Sequence, residues 1–211
     1  HSLLTGPQGE ALSKRLGVLA LRDLREQGIQ PFALLSLMAR LGSSDTVDLR
    51  TDMAALIDGF DINRFGAAPT KFDVADLFPL TGRYLQTLTA EDVADDIRAA
   101  GVPDTLAAPF WKAVRENVET LKELGGWWAM FRDGAEPVIE EDDQAFVAQA
   151  MALLPDMPFD ETTWSNWTAT VKEATGRKGR GLFRPLRLAL TGLENGPEMG
   201  AVMPLLQVVK A

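Results

Sequence analysis

The chain has no cysteine and one histidine, which is residue 1. Without thiols there are no disulfides and no thiolate metal sites. A single imidazole also excludes a histidine-based triad and a multi-histidine zinc site. No apolar run approaches the ~18 residues that a membrane-spanning helix needs, and the first residues lack the pattern of a signal peptide. The period-two alternation that marks half-buried strands is nearly missing. These absences point to an all-α, soluble, cytoplasmic protein with no metal site and no membrane contact. His1 followed by Ser2, Leu3 and Leu4, with no Met, reads as the start of a fragment of a longer polypeptide.

What the chain does have is 211 residues of ordinary 46% hydrophobic content, enough for one large domain or two small ones. Its charge is unevenly spread. Residues 1–90 carry 9 basic and 10 acidic groups, residues 91–175 carry 6 and 18, and residues 176–211 carry 6 and 2, for net charges of −1, −12 and +4. A polyanion is drawn to the last segment and repelled by the middle one, which favours an oriented contact over non-specific coating.

The segment Gly176–Gly192, GRKGRGLFRPLRLALTG, concentrates that positive charge. Four glycines and five basic residues (Arg177, Lys178, Arg180, Arg184 and Arg187) open into an apolar stripe of Leu186, Leu188 and Leu190. Glycines let backbone N–H groups approach a phosphate, a helix start presents unpaired donors, and arginine adds planar donor forks suited to phosphates and base edges. A second cationic element, Ser13-Lys14-Arg15, is bracketed by Gly6, Gly9 and Gly17. A loop of that kind can close on a polyphosphate, though such loops are more often only solvated surface.

Helix punctuation predicts elements over 16–27, 31–41 and 51–58, then over 73–88 with a break around Pro79 and Gly82. Thr89 with Asp92 resembles a capping arrangement for a helix to Ala100. A helix from Asp104 or Thr105 carries Trp111, Val114, Val118 and Leu121 and ends near Gly125, followed by a short turn over 127–132. Helices over 139–154 and 160–175, the helix of the basic motif, and a last one broken by Pro204 complete the pass. The seam is expected near Leu88–Thr89, giving domains 1–88 and 89–211. The five tryptophans read mainly as core, with one of Trp127 and Trp128 exposed because neighbours cannot share a helix face. The acidic runs 92–96 and 140–143 read as solvated faces.

Two segments in order, ALSKR at residues 11–15 and PLRLALTG at 185–192, together resemble the C-terminal half of bacterial glutamyl-tRNA synthetases, which are class I aminoacyl-tRNA synthetases. The resemblance implies a signature loop and a helical stem-contact region over 1–88, then a helical anticodon-binding cage over 89–211. It implies that Lys14 is the catalytic signature lysine and that Ser13, Lys14 and Arg15 bind the ATP phosphates. Ala11 departs from the family, which usually has a lysine there. It further implies that Arg187, Pro197 and Met199 bind the first anticodon base and that Asn117 stands where some members carry an arginine reading the third. With Asn117 in that place, discrimination between glutamate and glutamine tRNAs is expected to relax. Arg177, Lys178, Arg180 and Arg184 are then candidates for the tRNA backbone. The implied parent is a glutamate–tRNA ligase, expected to be a monomer. It uses L-glutamate, ATP and Mg²⁺ to make a glutamyl-adenylate and charge tRNA, while the fragment alone is inactive and holds no cofactor. One reading from another class stays open, a non-enzymatic helical interaction module that docks an acidic partner; an independent nucleotide-binding enzyme that uses the Lys14 loop fails for want of other catalytic groups.

Overall fold

Glycines end several of the helices in the computed structural model, which describes residues 3–10, 12 and 20–211. Ser13, Lys14 and Arg15 lie outside the described residues. The architecture is all-α: among the described residues the only sheet is a two-residue parallel pair, β1 (Leu4–Thr5) beside β2 (Thr70–Lys71). No helix among them is long and apolar enough to cross a membrane.

The chain divides into two compact units, one of residues 1–88 with 118–122 and the other of 89–117 with 123–211. In the first, α1 (Leu21–Gln27), α2 (Pro31–Met38), α3 (Met53–Asp58) and α4 (Leu77–Leu85) surround a core that includes Leu24, Ile29, Ala33, Leu37, Phe72, Leu77 and Leu80. α1 stops at Gly28, whose φ of 90° suits a residue without a side chain. A Cβ there would stand 3.0 Å from that of Thr120. The break expected at Pro79 and Gly82 does not occur. Pro79 is the third residue of α4, inside the first turn, where a backbone N–H has no helical partner to lose. Gly82 is buried because the helix passes close to the Val118 carbonyl, 3.2 Å from where a Cβ would be.

The second unit begins with α5 (Ala94–Ala99). Before it, Asp92 accepts from the backbone N and Oγ1 of Thr89, both at 2.8 Å, but this pair closes a turn ahead of the helix, whose own N-cap, Val93, has no side-chain cap. The helix expected to run to Gly125 is shorter than its periodicity suggests. α6 (Ala107–Val114) tightens into a 3₁₀ turn at Arg115–Asn117, and residues 118–122 join the first unit. The expected turn at 127–132 is instead part of α7 (Leu124–Asp133), with Gly125 and Gly126 in its first turn. Trp128 is buried and Trp127 half-buried, and Phe110 meets Trp128 and Phe131 edge-on at 6.0 and 6.1 Å. Each such pair adds about 0.5–1.5 kcal/mol beyond its buried area.

α8 (Gln144–Met151) and α9 (Thr163–Thr175) pack against α10 (Arg180–Thr191), and α11 (Met199–Val202) packs against α6 and α9. Asp160 organises the start of α9, accepting from Thr162 N at 2.8 Å, Thr162 Oγ1 at 2.8 Å and Thr163 Oγ1 at 3.0 Å. Gly176 ends α9 with φ 72° and Gly192 ends α10 with φ 67°. Buried Trp167 donates from Nε1 to the Ala150 carbonyl at 2.8 Å, tying α9 to α8.

Candidate nucleic-acid interface

Proline inside a helix leaves one carbonyl without its usual donor. Pro185 lies in α10 and cannot donate to Gly181, four residues earlier. The Gly181 carbonyl instead accepts from Arg177 Nη1 at 3.2 Å. The same guanidinium pairs with Asp143 and sits 4.0 Å from the centre of the Phe146 ring. Arg177 thus fastens the glycine-rich turn between α9 and α10 to α8, with its Nη1 shared between Asp143 and the Gly181 carbonyl.

One face of α10 is apolar, with Leu182, Leu186 and Ala189 buried. Positions 180, 184 and 187 recur on the other face at helical spacing. Those three arginines, with Trp164, Phe183, Glu194, Asn195, Glu198 and Met199, line a cavity of about 570 Å³, a size usual for small-ligand pockets. Their environments differ. Arg180 is exposed and acts on Glu140 only through space. Arg184 is clamped between Glu140 at 2.7 Å and Glu194 at 2.5 Å. Hydrogen bonding to these carboxylates pushes the Arg184 guanidinium above the ordinary arginine range and holds Glu140 below the usual carboxylate value.

Arg187 forms no such clamp. Its Nη2 donates to the Pro197 carbonyl at 2.9 Å, and its buried Nε has no hydrogen-bond partner among the described residues. Burial pushes its pKa below the ordinary value. A guanidinium partly stripped of water and partly unsatisfied gains more than an exposed one from an acceptor brought into the cavity. The turn that meets it depends on Gly196, with φ 149°. A Cβ at that residue would lie 2.9 Å from Arg187 Nη2 and 3.4 Å from Trp127 Cη2. Met199, buried at the start of α11, adds an apolar wall.

The structure therefore brings Arg187, Pro197 and Met199 together. Lys178 is exposed on the turn preceding α10. Asn117 closes the 3₁₀ turn after α6, half-buried, and does not line this cavity. Sequence reasoning missed Phe183, Gly196, Glu194 and Glu198, and weighed Trp164 as a base-stacking candidate but favoured core packing. Phe183 could have been found from its helical register with the three arginines; the others depend on contacts between distant segments.

The anticodon binding domain family matches residues 77–208, and the chain belongs to that family. Over all 211 residues it is 72% identical to glutamate–tRNA ligase 1 of Ruegeria pomeroyi and 71% identical to glutamate–tRNA ligase 1 of Roseobacter denitrificans. The chain covers 48% of each, and so spans about half the length of the curated relatives it matches. A crystal structure of a glutamate tRNA ligase from Elizabethkingia meningosepticum, in complex with its amino acid, superposes with a TM-score of 0.73 at 22% identity. That match covers 96% of this chain and 47% of the other, and at such identity it establishes the fold. The similarity to glutamyl-tRNA synthetases, carried in the sequence by two short motifs, thus extends over the whole chain.

Proposed function

We propose that this chain is the tRNA-binding part of a glutamate–tRNA ligase and that the α10 cavity takes an unpaired anticodon base. The observation that carries this reading is the Arg187–Pro197 contact beside Met199, in a chain whose family is defined by anticodon binding. RNA is read in sequence chiefly where its bases are splayed from the helix, and a splayed base needs an apolar wall and an edge contact. Met199 and the proline turn supply the wall. The unclamped donors of Arg187 supply the edge. Lys178 and Arg180, exposed beside the cavity, carry charge suited to the phosphate backbone. Arg177 and Arg184, already paired within the protein, hold this face in shape.

Residues 1–88 form the stem-contact region in this reading, and residues 89–211 the anticodon-binding domain. The complete enzyme joins L-glutamate to glutamate tRNA by way of a glutamyl-adenylate, using ATP. Lys14 contacts the ATP phosphates, with Ser13 and Arg15 as its neighbours in the signature loop, and Mg²⁺ enters as the counter-ion of those phosphates. Asn117 faces the third anticodon base. Being shorter than arginine and uncharged, it relaxes discrimination against glutamine tRNA, and charging of both tRNAs is the alternative to charging glutamate tRNA alone. The enzyme acts as a monomer. Titration of the chain with cognate and anticodon-altered tRNA over a range of salt tests this reading: anticodon-dependent, salt-sensitive affinity supports it, and equal affinity for all anticodons contradicts it.

A further inference from the structure

The arginine face of α10 contains one aromatic ring. Positions 180, 183, 184 and 187 share that face by helical register, and Phe183 remains 45% exposed. Its ring lies 6.3 Å from that of Trp164, with the planes 36° apart. Trp164 in turn meets Trp167 at 5.7 Å and 67°, and Trp167 is buried and fixed by its bond to Ala150. Three rings thus step outward from the core to the cavity wall, each oriented by the one beneath it. Leu182 and Leu186 already anchor α10 from the opposite face, so an exposed phenylalanine is not needed to seat the helix.

We propose that Phe183, backed by Trp164, is a stacking platform for a second unpaired nucleobase, next to the one held by Arg187, with Arg180 beside it on the backbone. The proposal rests on the cavity being the anticodon site. A flat apolar face among cations is the arrangement by which single-stranded RNA is gripped, because every base presents a π-face whatever its edge. The platform therefore adds affinity and position, and leaves base identity to Arg187.

The test uses this 211-residue chain and glutamate tRNA carrying 2-aminopurine at one anticodon-loop position at a time. Stacking on a ring quenches 2-aminopurine fluorescence. The expected result is quenching at one position with the wild-type chain, retained in Phe183→Tyr and lost in Phe183→Leu, with roughly tenfold weaker binding in the leucine variant. Leucine keeps the apolar bulk and removes the ring, which guards against simple unfolding. Quenching unchanged in Phe183→Leu, lost equally in Phe183→Tyr, or absent at every position in the wild type would overturn the proposal. Wild-type binding that ignores the anticodon would instead remove the reading beneath it. Anticodon-dependent binding with no effect of Phe183→Leu would remove the platform alone.

Discussion

Arg187 Nη2 donates to the carbonyl of Pro197 at 2.9 Å, so the helix bearing PLR and the turn bearing GPEM meet through one side-chain hydrogen bond. That bond orients the guanidinium and uses one of its donors, while its Nε is buried without a partner.

Gly196→Ala is expected to disturb this arrangement without touching a charge. The new methyl would fall 2.9 Å from Arg187 Nη2 on a backbone with φ 149°. The guanidinium must move, and the strain costs about 1–3 kcal/mol of stability. Binding assays should show anticodon discrimination falling with the glycine, while a thermal melt records the stability loss. Unchanged discrimination would mean that the Arg187 position does not matter to binding.

Arg177 and Pro185 should be coupled. Arg177→Ala removes a donor to the Gly181 carbonyl, an ion pair and a ring contact, and should destabilise the second unit by about 1–3 kcal/mol. Pro185→Ala returns a backbone donor to the same carbonyl. Denaturant melts of both single variants and the double variant should give a non-zero interaction energy, with part of the Arg177 loss recovered in the Pro185→Ala background. Strict additivity would show that the guanidinium does not serve that carbonyl.

Much of the second unit was legible because its signals are local. Thr89 and Asp92 bond one another three residues apart, Asp160 binds its own next two threonines, and Gly176 and Gly192 stop helices at positive φ. The errors arose where tertiary contacts overrode a local rule. Val114 and Val118 keep helical spacing, yet Val118 is drawn into the first unit beside Gly82. Gly125 reads as a stop, yet the buried side chains of Leu124, Trp128 and Phe131 make that stretch a helix. The arginine stripe could be read from its spacing. The partners that distinguish its members could not: Arg184 meets Glu140 from 44 residues away, and Arg187 finds a backbone carbonyl.

Asp160 gives a pH-dependent prediction with a definite sign. Hydrogen bonds from the Thr162 and Thr163 side chains, with the Thr162 backbone, hold its carboxyl below the ordinary value of 3.8. A depressed carboxylate stabilises the fold above its unfolded value, and the contribution is lost as pH falls through the folded value. Asp160→Asn should therefore lower the melting temperature at neutral pH, with the gap to wild type closing as pH falls below 3.8. A gap that is constant with pH would show that the charge is not what matters.

Lys14 tests the other end of the proposed enzyme. In the full-length ligase, Lys14→Ala is expected to slow glutamate-dependent ATP–pyrophosphate exchange by at least ~100-fold, the scale for removing one transition-state contact. Tight tRNA binding should survive. Wild-type exchange in that variant would separate this chain from the signature-loop chemistry.

The most direct measurement compares wild type with Arg187→Lys for binding to cognate tRNA and to tRNA changed at the first anticodon base, at one fixed salt concentration. Lysine keeps the charge but lacks the planar fork. The anticodon-binding reading predicts that Arg187→Lys weakens cognate binding by roughly 5- to 100-fold and leaves the altered tRNA nearly unaffected, so that discrimination collapses. Equal weakening toward both tRNAs, or none toward either, would contradict it and leave α10 as a basic surface that does not read the anticodon.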